Sequence, residues 1–119
     1  MKIVLPWPDS RLNPNARVHW RALSAVKALA REDARKLARG AMVRFRRSQA
    51  DYEGAGRISY IVAFYPPDAR HRDDDNMIAS FKAARDGIAE AMGVNDRRFA
   101  PHYFFRPPEK HGRVEVEIG

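Results

Sequence analysis

The sequence contains no cysteine. That excludes a disulfide scaffold, a thiolate zinc site and a cysteine nucleophile, and it suits a reducing compartment. No apolar run approaches the ~18 residues that a membrane-spanning helix needs. The opening stretch Met1 to Ser10 has neither a long apolar segment nor a small-residue cleavage site. The expectation is therefore a cytoplasmic protein with no membrane partner. There is no glycine-rich phosphate loop, so nucleoside triphosphate binding is not expected. The four histidines, His19, His71, His102 and His111, lack metal-ligand spacing. Acidic residues are also in deficit: 15 against 22 basic, a net charge of +7. A polyanion is the natural partner, nucleic acid before an anionic membrane surface.

The 119 residues make one domain of ordinary size, and the hydrophobic fraction of 45% suffices for one modest core. Lys2 to Leu5 read as a first strand, stopped by Pro6-Trp7-Pro8, and residues 9 to 19 as a loop. From Trp20 to Arg47 an apolar stripe recurs at helical spacing through Leu23, Val26, Ala30, Ala34, Leu37 and Ala41. Residues 57 to 65 alternate with apolar side chains on both sides, as a central strand does. A second helix is expected over 76 to 92, ending at Gly93. Residues 99 to 105 form a third strand, residues 106 to 112 a hairpin-like loop, and Val114, Val116 and Ile118 mark a half-buried last strand. The fold class is α/β in the α+β sense. Two layers are expected: a mixed sheet of about four strands with two amphipathic helices on one face.

Charge is concentrated on the first helix. Residues 17 to 47 hold ten basic and two acidic residues. Such runs are commonly solvated faces, but this one is so one-sided that a phosphate-contacting face is the better reading, with Lys27, Arg31, Arg35, Lys36 and Arg39 as candidates and Arg72 beside the acids as another.

Those acids, Asp73, Asp74 and Asp75, repel one another unless something compensates. Helix capping accounts for one Asp well, a second tolerably and a third poorly. A divalent cation accounts for the excess directly; Mg²⁺ takes one or two carboxylates, keeps waters and draws further ligands from phosphate. If the segment is extended, Asp73 and Asp75 point the same way and Asp74 the other. An EF-hand starting at Asp73 fails at Met77 and Ala84, and a phosphatase-type D-x-D fails because Arg70-His71-Arg72 is not an apolar strand.

The run Arg72-Asp73-Asp74-Asp75-Asn76, then Lys82 and Asp86, then Gly93 and Asn95-Asp96, resembles the RusA family of Holliday junction resolvases. Leu5-Pro6-Trp7-Pro8 with Ser10 is similar to that family's opening strand and turn, and Lys110 to Val116 to its closing stretch. The resemblance implies a homodimer that binds branched, four-way DNA and cuts two symmetric strands with Mg²⁺, Mn²⁺ substituting. It implies Asp73 and Asp75 as the paired catalytic acids and metal ligands, Asp96 as the late one, and Lys82 as the catalytic lysine. The family's Lys stands four residues after the second Asp, where this chain has Ala79; Lys82 is seven after, four before Asp86, with which a plain surface ion pair is the alternative. Asn95 stands where a further Asp is common. The alternative function is a non-catalytic DNA-binding protein on the same scaffold. An RNA-binding protein is weaker, because no strand carries interleaved aromatics.

Overall fold

A computed structural model describes the whole chain, Met1–Gly119. Four strands, β1 (Lys2–Pro6), β2 (Ile58–Tyr65), β3 (Phe99–Phe105) and β4 (Arg113–Ile118), form one mixed sheet in the order β1-β4-β2-β3. β4 runs antiparallel to both of its neighbours, and β3 is parallel to β2. β1, β2 and β3 therefore share a direction, and their carboxyl ends lie along one edge. One face of the sheet, with Ile3, Leu5, Ile58, Tyr60, Val62, Phe64, Val114, Val116 and Ile118, is buried beneath the helices. The expected α+β fold with a mixed four-stranded sheet is present.

The loop between β3 and β4 is not a hairpin, because β2 lies between the two strands. It crosses the end of β2 instead, with Arg106 N–H donating to Phe64 O and Glu109 N–H to Pro66 O. β3 is thus an edge strand, which is where Pro101 is tolerated without breaking a ladder.

Helix α1 (Trp20–Arg44) ends three residues before the expected Arg47. Arg46 adopts a left-handed conformation (φ 54), and the Arg47 N–H reaches back to Met42 O at 2.8 Å. That is a Schellman closure made without the usual glycine, so the stop left no mark in the sequence. Gly40 lies inside the helix. The buried stripe is Val26, Ala34, Ala38, Ala41 and Met42, leaving Leu37 partly exposed.

The second expected helix is two: α2 (Asp74–Ser80) and α3 (Lys82–Met92), with a break at Phe81. Ser80 Oγ donates to Asn76 O at 2.7 Å, the back-bonding that bends helices. The break lets buried Phe81 meet Phe64 edge-on at 6.0 Å. Gly93 closes α3 in the left-handed conformation, as expected.

α1 and α3 cross closely enough that a Cβ on Gly87 would lie 2.1 Å from the Arg31 carbonyl oxygen. A Cβ on Gly40 would meet only the Arg44 guanidinium, at 3.7 Å. Gly87→Ala is therefore expected to destabilise the protein by about 1–3 kcal/mol or more through overpacking. Gly40→Ala is expected to stabilise it by up to about 1 kcal/mol through helix propensity. Urea unfolding of both variants is the measurement; stabilisation by Gly87→Ala would contradict the close crossing.

Candidate functional site

The carboxyl edge of the sheet carries a polar cleft of about 510 Å³. One wall is the segment after β1, with Trp7, Ser10, Asn13 and Asn15; the other is the segment after β2, from Arg70 through Asp73 and Asn76 to Ser80. Clefts outside the carboxyl ends of strands are where α/β sheets commonly bind ligands.

Each wall is pinned by its own ion pair. Asp9 caps a short 3₁₀ turn (Ser10–Leu12) and takes Arg11 Nη2 at 2.8 Å; the Arg11 side chain and then its backbone N–H hold the carboxyl down to about 2. Asp68 receives Arg72 Nη1 at 2.9 Å and Arg70 Nη2 at 3.1 Å, and these two, Arg72 first, hold it far below the ordinary carboxylate range. Arg72 also donates to the carbonyls of Asp68 and Arg70, and its guanidinium lies 5.5 Å above the Trp7 ring. Arg72 is thus occupied as the clamp between the two walls rather than presented to solvent.

Asp73 is the N-cap of α2, its Oδ1 accepting the Asp75 N–H at 3.2 Å. Asp74 and Asp75 occupy the first turn. The segment is helical from Asp74, so the alternation expected of an extended strand does not apply; capping and the helix dipole use one oxygen of Asp73 and favour all three charges. No ion pair reaches any of the three. Seven other carboxylates are paired with cations, and the two arginines just before the triplet turn back to Asp68. The second oxygen of Asp73 and the carboxylates of Asp74 and Asp75 remain as exposed, hard oxygen donors.

Asp96 comes from the opposite edge, in the short turn that enters β3. Its Oδ2 lies 3.0 Å from Arg85 Nη2 on α3. Beneath this pair lie the Arg85 Nε and the Tyr60 hydroxyl, both buried without a hydrogen-bond partner; burial raises Tyr60 well above its ordinary value. Within one chain Asp96 does not join Asp73 and Asp75, and no three His, Asp or Glu side chains stand together as one metal-holding group.

Lys82 is exposed just past the break at Phe81 and makes no ion pair with Asp86. It lines a second cleft of about 550 Å³ between α1 and α2–α3, with Lys27, Arg31, Glu32, Asp86 and Glu90. Ser80 borders both clefts, so the cleft with Asp73 on its wall adjoins the one that carries Lys27, Arg31 and Lys82. Of the other candidates on α1, Arg31 pairs with Glu90 at 2.9 Å, Arg35 is bidentate on Glu32 and Lys36 stands 4.0 Å from it, whereas Lys27 and Arg39 pair with no carboxylate.

Sequence reasoning missed the roles of Trp7, Asn13, Asn15, Asp68 and Arg85. The Asn-Pro-Asn loop marked only a turn, and an arginine over a tryptophan 65 positions away in the chain has no local signature.

No protein-family model matches the chain. It is 43% identical to a protein of Xylella fastidiosa (strain Temecula1 / ATCC 700964) described as an uncharacterized protein, over 122 aligned residues that take in 98% of this chain and 74% of that one. The chain belongs to the same family as that protein. That likeness carries no statement of activity. No helix is long and apolar enough to cross a membrane.

Both wall pins belong to carboxylates with depressed values, so their contribution is full above the ordinary carboxylate range and is lost as pH falls through the depressed value. Above about pH 4 the Arg11 and Arg70 amides, which donate to Asp9 and Asp68, should stay protected. The Asp9 pin should fail near pH 2. Amide exchange followed by NMR against pH checks this; protection lost well above the carboxylate range would contradict it.

Proposed function

We propose that the protein is a metal-dependent, structure-selective endodeoxyribonuclease of the RusA type, a homodimer acting on four-way DNA junctions. The observation that carries the reading is the exposed Asp73-Asp74-Asp75 triplet, free of cationic partners in a chain of net charge +7, with Asp73 on the wall of a cleft that adjoins, at Ser80, the one carrying Lys27, Arg31 and Lys82. In-order resemblance along nearly the whole chain supports the same reading.

The donor set fits a hard divalent cation. Carboxylate oxygens suit Mg²⁺ and Mn²⁺, and the partial charge at the start of α2 is outweighed by three full negative charges. In this reading Asp73 and Asp75 hold the ion, while Asp96, paired with Arg85 at the opposite edge of the sheet, is not a ligand of that ion within the same chain. When bound, the ion supplies charge stabilisation at the scissile phosphate and a more acidic water. The remaining work belongs to the chain. Asn13, Asn15 and Asn76 offer amide donors to phosphate or sugar oxygens along the cleft. Lys27 and Arg39 attract the backbone without regard to sequence. Lys82, approaching along the second cleft, presents a positive charge to the phosphate as negative charge builds in the transition state.

The test is nicking of a synthetic four-way junction in Mg²⁺. Wild type should nick symmetrically, while Asp73→Asn and Asp75→Asn should abolish nicking yet bind the junction as tightly or tighter, because repulsion of phosphate is relieved. Lys82→Ala should slow nicking on the order of 10²-fold with unchanged stability. A wild-type protein that binds junctions and nicks none of them in Mg²⁺ or Mn²⁺ would identify the non-catalytic DNA-binding alternative. Light scattering of the junction complex should give two copies per junction; one copy would contradict the homodimer.

A further inference from the structure

Trp20, the first residue of α1, is the most exposed aromatic side chain, with 68% of its surface open. A tryptophan so exposed forgoes one of the largest hydrophobic gains available to a side chain. Its neighbours in sequence and on the next helical turn are Arg17, Val18, Arg21, Leu23 and Ser24, with Lys27 two turns on.

The ring is nevertheless held. His19 is the N-cap, its Nδ1 accepting the Arg21 N–H at 3.2 Å, and this fixes the imidazole, which stacks on the indole at 5.8 Å between centroids. The Arg21 guanidinium lies 5.2 Å from the indole centroid. Two-thirds of the side chain's surface remains open beside these two contacts. Asn15, on the wall of the acidic cleft, is five residues away, a reach of at most about 18 Å.

We propose that Trp20 is a stacking platform for an unpaired base of DNA engaged at the acidic cleft. The inference rests on the nuclease reading and deepens it by naming what the protein reads besides phosphate. In an intact duplex both faces of each base are already stacked. Only a base freed at a branch point or a strand end offers a face to an indole. A lone aromatic among cations matches that ligand, a flat π-system with phosphates on either side. A protein or lipid partner calls instead for a contiguous apolar patch. Trp20 thereby favours branched over linear DNA without reading sequence.

The test uses the full chain with Ca²⁺ in place of Mg²⁺, so that the carboxylates can hold a divalent ion while cutting is suppressed, with a four-way junction and a blunt duplex of equal length. The junction should quench tryptophan emission in the wild type, and Trp20→Ala should lose most of that quenching, the remainder belonging to Trp7 on the cleft wall. Trp20→Ala should also weaken junction binding about 10- to 100-fold, the effect of one lost base stack, with duplex binding within about twofold. Trp20→Tyr should restore most of the preference and Trp20→Leu little of it. Undiminished quenching or junction affinity in Trp20→Ala overturns the proposal, as does rescue by Leu equal to that by Tyr, which would mark an apolar contact. If the wild type binds DNA with no preference for the junction, the platform fails while the DNA reading stands. If it binds no DNA at all, the nuclease reading fails, and the platform with it.

Discussion

The cleft depends on one buried ring. Phe64, near the end of the central strand, is fully enclosed and meets Trp7 and Phe81 edge-on, Phe105 face to face and Tyr103 at a tilt. Edge-to-face and offset aromatic pairs are directional as well as hydrophobic, so this ring fixes angles as well as distances. Through Trp7 it sets the wall that follows β1. Through Phe81 it sets the break between α2 and α3, and so the point where Lys82 leaves the helix. Through Phe105 it ties the edge strand to the same end of the sheet. Arg72 then lies over Trp7 and clamps the segment that leads into Asp73.

The hierarchy explains which parts of the molecule were legible from the sequence. The strands were, because residues 57 to 65 are apolar on both sides, as befits a central strand, and residues 113 to 118 alternate, and the structure buries every second position of each. So was Gly93, whose left-handed conformation follows from its residue type. The end of α1 was not, because an arginine rather than a glycine takes the left-handed position. The break at Phe81 was not, because it answers to a ring on another element. Strand order was illegible for the same reason: a loop containing Pro107 and Pro108 reads alike whether it turns a hairpin or crosses a neighbouring strand.

The candidate site was legible in its charges and illegible in its commitments. The Asp triplet stood out because it is improbable in a basic chain. Which arginines are free could not be read, because ion pairing is decided in three dimensions. Arg72, adjacent to the triplet, is drawn back to Asp68 and Trp7, and Arg35 to Glu32, while Lys27, no more conspicuous in the sequence, is left without a carboxylate partner. Asp96 is the clearest case. The family resemblance implied that it joins Asp73 and Asp75, but topology sends it to the opposite edge, where α3 supplies Arg85 as its partner.

Those commitments shape the field around the cleft. Had Arg70 and Arg72 paired with Asp73 or Asp75, the triplet would be largely neutralised locally. Their pairing with Asp68, which strongly favours its charged form, consumes one carboxylate against two cations and leaves three carboxylates bare, eased only by the start of a helix seven residues long. The helix dipole is equivalent to about half a unit charge, against three full negative charges. In the proposed reading a surface rich in lysine and arginine draws a polyanion toward this face, yet the last few ångströms bring phosphate against carboxylate, where like charges at contact repel most steeply. In the proposed reading the two requirements are reconciled only by a small, highly charged cation lying between phosphate and carboxylate. Attraction at long range and dependence on a divalent ion at short range are then consequences of the same distribution of charge.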